Sequence, residues 1–208
     1  MKHLIALLFV VFAQTSSADQ LQLLTTSLKD KLSSPEATQA AIAAGDKRAL
    51  ICKFCHGPDG NSKKSSIPNL AAQNPTYVIR QLELFSSGAR QNKTMNEIVK
   101  VLSIKDMVDI ALFYSSLSVN AQTSYNTDLV DDGRKLFEAK CFFCHGKDAH
   151  GKEELPRIAS QPEDYVIKTL SSYTSTLNKR AETEMSKIAR TLKENEILAL
   201  AAYLASLQ

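Results

Sequence analysis

Four cysteines serve a chain of 208 residues, and all four fall in two tight clusters. Cys52-Lys53-Phe54-Cys55-His56 returns later as Cys141-Phe142-Phe143-Cys144-His145, and a glycine follows each, Gly57 and Gly146. Two thiols spaced by three, with a histidine next in line, form the attachment signature for a c-type haem. Each thiol can add to one vinyl group of the porphyrin, so two thioether bonds fasten one ring. The adjoining imidazole is then placed over one face, where a ring nitrogen can bind the iron. Three other uses of the pattern compete with this one. A disulfide within each cluster would leave the adjacent histidine twice without a reason. Zinc accepts cysteine and histidine at such spacing. A thioredoxin-like redox pair wants a βαβ context.

An iron held by one histidine needs a sixth ligand or keeps an open position. Met95 follows His56 by 39 residues and Met185 follows His145 by 40, so the two are equivalent. Each also starts an apolar helical face, Met95-Ile98-Val99-Leu102 and Met185-Ile188-Ala189-Leu192, and a methionine there is often only core. Met107 supplies the contrast, because its counterpart is Ile197 and that position asks only for apolar bulk. Position 95/185 keeps methionine in both copies, which favours Met95 and Met185 as iron ligands. His150 stands opposite Asn61 in a polar loop and reads as a solvated side chain. Lys63-Lys64 and the basic run at residues 90–93 read as solvated loops that could also help an acidic partner dock.

The elements that position these residues repeat with them. Pro68, Ala71, Gln73, Tyr77 and Leu82 match Pro156, Ala159, Gln161, Tyr165 and Leu170 at an offset of 88; Arg90, Met95, Leu102 and Ala111 match Arg180, Met185, Leu192 and Ala201 at 90. Slips of one residue are what short loop insertions leave behind, so a unit of about 90 residues has been duplicated. The reading is all-α: two tandem helical units, each wrapped around a covalently bound haem. In each, a helix follows Tyr77 or Tyr165, and a short helix starts near the late methionine. A last helix carries Met107, Ile110, Ala111, Tyr114 and Leu117, or Ile197, Leu200, Ala201, Leu204 and Leu207, as one stripe. Residues 58–66 and 147–154 are polar and predict loops. Leu21, Leu24, Leu28 and Leu32 stand at helical spacing and predict an earlier helix that stops at Ser33-Ser34-Pro35, and Ser34 with Pro35 predicts the cap and first residue of another. The expected divisions are a leader at 1–18, a helical lead-in at 19–44, a first unit at 45–118, a linker at 119–130 and a second unit at 131–208.

Composition closes other routes. Lys and Arg number 25 against 22 Asp and Glu, for a net charge of +3, and no long basic block exists to neutralise phosphates, so no nucleic-acid partner is expected. Lys2 and His3 precede an apolar run at residues 4–12, and Ser16-Ser17-Ala18 gives a small-x-small site, so a signal peptide cut after Ala18 is expected. The run is far short of the roughly 20 residues a bilayer span needs, so no integral span is expected after cleavage. Two copies of C-x-x-C-H-G in an exported helical repeat favour haem over disulfide, zinc or thioredoxin chemistry.

On CKFCH, CFFCH, Ile67-Pro68-Asn69-Leu70, Leu155-Pro156-Arg157-Ile158 and the late Met95 and Met185, the sequence resembles the class I c-type cytochromes. As a duplicated pair it is similar to the dihaem cytochrome c4 family, from about Gly45 to Leu207. The resemblance implies two covalently attached haem c groups and proline carbonyls, of Pro68 and Pro156, accepting the proximal imidazole hydrogens. It implies a periplasmic electron carrier between a cytochrome bc-type donor and a terminal oxidase or reductase. The family's first helix pairs a glycine with an aromatic four residues on. Gly133 and Phe137 fit this, whereas Gly45 is followed at that distance by Ala49. From 19 to 118 there are 12 basic and 9 acidic residues, and from 119 to 208 there are 12 and 13, so the halves could prefer different partners. The rival reading is a dihaem oxidoreductase of peroxidase or thiosulfate-oxidising type, which would need one haem without its methionine.

Overall fold

The computed structural model describes residues 17–122, 124–174 and 183–207. The expected leader falls almost wholly outside them. Helices account for the described elements: α1 (Ser17–Lys31), α2 (Pro35–Arg48), α3 (Leu50–His56), α4 (Pro75–Ser86), α5 (Lys93–Val99), α6 (Ile104–Ser115), α7 (Val130–Lys140), α8 (Phe142–His145), α9 (Glu163–Thr174), α10 (Glu184–Ala189) and α11 (Glu194–Ser206), with one 3-10 turn at Thr127–Leu129. No strand occurs among the described residues beyond an isolated bridge between Lys152 and Leu155. The all-α expectation holds.

Local chemistry sets the helix starts. Ser34 is the N-cap of α2 with Pro35 inside it, and its hydroxyl accepts the Ala37 N–H at 3.1 Å. Asn92 caps α5 by accepting the Met95 N–H at 3.1 Å, and Thr183 caps α10 by accepting the Ser186 N–H at 3.2 Å. These caps satisfy amide hydrogens that a first turn leaves unpaired. They also anchor the two short helices that carry Met95 and Met185.

Each half is built on one helix crossing, α2 on α6 and α7 on α11. The crossing is close because a glycine lies in it. A Cβ on Gly45 would stand 2.0 Å from the Asp109 carbonyl oxygen, and one on Gly133 would stand 2.0 Å from that of Ala199. Apolar side chains then fill in around each crossing. Val78, Ile79, Leu82, Val99, Met107, Val108 and Ala111 form the first core, and Phe137, Val166, Leu170, Ile197, Leu200, Ala201 and Leu204 form the second. The lead-in adds to the first half only. Leu24 and Leu28 of α1 are buried against α4 and α6, while Leu32 lies beyond the helix and is exposed.

Between the cysteine helix and the next helix, each half runs through a long loop. Gly57 and Gly146 leave α3 and α8 with φ of 87° and 79°, a region that side chains rarely adopt. Further on, Ala72 and Ser160 take positive φ at equivalent positions. Their amides donate to the carbonyls of Tyr114 at 3.1 Å and Leu204 at 2.8 Å, which ties each loop to the last helix of its half. A left-handed residue without glycine costs energy, and this tether is the contact that holds it.

Candidate haem sites

In the first half Cys52, Cys55 and His56 all lie on α3; in the second, Cys141 immediately precedes α8, which carries Cys144 and His145. The four thiols are free, so the disulfide reading fails. No cluster of three or more histidine, cysteine or acidic side chains suited to a metal ion forms among the described residues. Burial pushes the Cys52 thiol up and raises that of Cys141 to about 11, so neither is a ready thiolate for redox exchange. The side chains between the cysteines stay outside: Phe54 and Phe143 are both 89 % exposed.

The two histidines are buried and oriented alike. His56 Nδ1 lies 2.9 Å from the Pro68 carbonyl oxygen, and His145 Nδ1 lies 3.2 Å from that of Pro156. A carbonyl only accepts, so Nδ1 must carry the hydrogen. Burial lowers both pKa values, more than the proline carbonyls raise them, so the rings are neutral. The outcome is a bare lone pair on Nε2 in each ring, which is the form that binds a metal, with its orientation fixed by a backbone partner.

Met95 is the third residue of α5 and packs partly buried against the first core; Met185 is the second residue of α10 and packs the same way against the second. Met107 is wholly buried in the first core, as its apolar counterpart suggested. Each candidate sulfur therefore belongs to the same unit as its histidine and sits on a short capped helix. The thioether carries no proton and is a soft ligand that iron accepts.

The residues fit a haem in a further respect. Arg157 is 7 % exposed, and its Nε has no hydrogen-bond partner among the described residues. Burial lowers its pKa, and no ion pair forms to it among the described residues. Arg90 differs from the expected solvated loop. Its guanidinium donates to Gln81 Oε1 at 2.6 Å, reaches Tyr165 Oη at 3.5 Å, and lies over the Phe85 ring at 4.5 Å. Neither guanidinium meets a carboxylate among the described residues, whereas a porphyrin brings two carboxylates of its own. Nothing in the local sequence around Arg157 signalled this. A basic residue after Pro156, opposite Asn69 in the other copy, was the one available hint.

The halves also touch each other beside the sites. Asn69 Nδ2 donates to the Ser160 carbonyl at 2.7 Å, Asn74 Nδ2 donates to that of Leu155 at 2.7 Å, and the Tyr165 N–H donates to that of Ser65 at 2.9 Å. Both loops that follow the cysteine helices thus face each other across the molecule.

Known proteins bear on this arrangement. A family model described as cytochrome c matches residues 130–208. Cytochrome c4 of Pseudomonas aeruginosa is 30 % identical over 177 residues, covering 79 % of this chain and 88 % of that protein. A thiosulfate dehydrogenase electron acceptor of Stutzerimonas stutzeri is 28 % identical, covering 76 % of this chain and 79 % of that protein. The crystal structure of reduced recombinant cytochrome c4 from Pseudomonas stutzeri superposes with a TM-score of 0.75 at 27 % identity, covering 80 % of this chain and 98 % of that one.

Proposed function

The chain belongs to the cytochrome c4 family, and we propose that it holds two haem c groups, one in each half, and passes single electrons between redox proteins in the periplasm. Cys52 and Cys55 attach the first porphyrin, and Cys141 and Cys144 the second. His56 with Met95, and His145 with Met185, are the iron ligands. When bound, each haem would supply an iron able to gain or lose one electron, held by a histidine and a methionine of the same half. The protein's own part is to orient the neutral imidazoles through Pro68 and Pro156 and to exclude water. A methionine ligand would raise the reduction potential relative to a second histidine. Arg157 and Arg90 offer positive charge to the propionates.

The observation that carries this reading is the repetition: a buried neutral imidazole, aimed by a proline carbonyl beside two free thiols, occurs once in each half. The divisions at 45–118 and 131–208, with the linker at 119–130, follow from that repetition. Paired methionines at equivalent positions support a carrier over an enzyme, because an enzyme of the peroxidase or thiosulfate-oxidising kind needs one haem that has lost its methionine or exchanged it for a reactive ligand. Donors are of the cytochrome bc type or a dehydrogenase, the latter supported by the relative named as a thiosulfate dehydrogenase electron acceptor. The acceptor is a terminal oxidase or reductase. No helix among the described residues is long and apolar enough to cross a membrane.

A redox titration followed by absorbance tests the proposal. Two haems per chain, each with the red charge-transfer band of methionine-bound ferric iron, are expected. A high-spin haem in either half would turn the reading toward the enzyme.

A further inference from the structure

Two glutamine side chains cross between the halves and grip backbone on the far side. Gln161 Oε1 accepts the Asn69 N–H at 3.0 Å, while its Nε2 donates to the Asn69 carbonyl at 3.0 Å. Gln73 Oε1 accepts the Arg157 N–H at 2.8 Å, while its Nε2 donates to the Arg157 carbonyl at 2.8 Å. Gln73 and Gln161 are equivalent in the repeat, and so are Asn69 and Arg157. One contact is therefore made twice in opposite senses. All four residues are buried, none more than 7 % exposed.

The gripped amides are not arbitrary. The Asn69 N–H belongs to the same peptide group as the Pro68 carbonyl that holds His56, and the Arg157 N–H to the same group as the Pro156 carbonyl that holds His145. An acceptor on a peptide N–H draws charge through the amide and makes its carbonyl a stronger acceptor, and successive hydrogen bonds polarise one another in this way. A stronger acceptor on Nδ1–H makes the imidazole a more basic ligand. More electron donation to iron favours the ferric state.

We infer that Gln161 and Gln73 are positioning residues that tune the opposite half's axial histidine, Gln161 acting on His56 through the Pro68–Asn69 peptide and Gln73 on His145 through the Pro156–Arg157 peptide. Each half thereby sets part of the potential of the other. The inference rests on the two-haem reading above.

The test uses Gln161→Met and Gln73→Met in the full haem-loaded chain. Methionine keeps the length, but its thioether is only a weak acceptor and offers no donor. The two redox waves are first assigned with Met95→His and Met185→His, each of which lowers the potential of one haem. Gln161→Met should then raise the potential of the His56 haem. At a fixed poise its reduced-to-oxidised ratio should rise about threefold, or ~28 mV by the one-electron relation of 59 mV per tenfold, with the His145 haem moving far less. Gln73→Met should do the reverse. A purely structural clamp would lower the melting temperature without choosing a haem. A shift confined to the haem of the mutated half, equal shifts in both, or none overturns the inference. If Gln161→Met loses haem, Gln161→Asn and the reciprocal Gln73→Met decide on the same criterion. Fewer than two haems in the unaltered chain would instead overturn the two-haem reading, so the two failures are separable.

Discussion

At the helix crossing of the first half, Ala49 meets Ile110, Phe113 and Tyr114 in one buried cluster; in the second half, Phe137 and Leu204 hold the equivalent places, with the Phe137 ring tilted against that of Tyr203 at 5.5 Å. The large side chain has changed helices. A small residue on the first helix is matched by a large one on the last, and the reverse arrangement fills the second crossing. The glycines beneath are the same, Gly45 and Gly133, and so are the proline, histidine and loop contacts above. Bulk at the crossing can be supplied from either side, whereas the close backbone approach and the imidazole acceptor have one solution each. The family's missing aromatic at position 49 is thus answered by Tyr114 rather than lost.

Both crossings should break alike under Gly45→Ala or Gly133→Ala. The added Cβ meets backbone, which cannot give way as a side chain would, so each should cost more than about 4 kcal/mol. Thermal unfolding by circular dichroism measures this. A small loss at either site would show that the crossing tolerates separation.

The halves should part company when the lead-in is weakened. Leu24 is fully buried against the first half, and no described helix plays its part in the second. Leu24→Ala should cost about 2–5 kcal/mol. Hydrogen exchange should quicken in α4 and α6 and stay unchanged in α9 and α11.

The volume exchange can be tested directly. Ala49→Phe alone overpacks the first crossing and should cost about 1–3 kcal/mol. Adding Tyr114→Leu should recover more than about 1 kcal/mol of this, measured as the coupling in a double-mutant cycle. Additive losses would mean that the two positions do not share one space.

The smallest difference concerns the last helices. The Ser103 hydroxyl accepts the Asp106 N–H at 3.1 Å while the Asp106 carboxylate accepts the Ser103 N–H at 3.0 Å. Ser103→Ala should cost about 1 kcal/mol. Lys193 caps α11 chiefly through its own N–H, held by the Glu196 carboxylate at 2.7 Å, so Lys193→Ala should stay within about 0.5 kcal/mol. Burial works against the charge on Asp106, but the Ser103 bonds and Arg48 at 3.2 Å outweigh it and hold the carboxyl below its ordinary range. Its contribution is full above the unfolded value of about 3.9 and fades as pH falls through the lower folded one. Asp106→Asn should flatten that part of an acid unfolding curve.

Much of this was legible beforehand, for physical reasons. Helix periodicity, the Ser34-Pro35 cap and the apolar stripes of α6 and α11 are local, and local chemistry is written residue by residue. The repeat paired the histidines and the methionines of the two halves at once, and the family resemblance pointed to the proline carbonyls. What stayed hidden was contact between distant segments. Arg90 read as a solvated loop because nothing nearby in sequence reveals Phe85, Gln81 and Tyr165 closing around it. Gln73 and Gln161 were visible as repeated residues, but a glutamine that grips another half's backbone leaves no periodicity. The exchange of Ala49 and Tyr114 for Phe137 and Leu204 is a pairing across helices, which a single chain read in order cannot pair.

The central claim is that each half holds its own haem through its own ligands. Intact mass and a redox titration of Cys52→Ala/Cys55→Ala measure this most directly. One haem should remain, bound in the second half, low-spin, with its methionine charge-transfer band intact. Loss of both haems, retention of both, or a high-spin remaining haem would contradict the account.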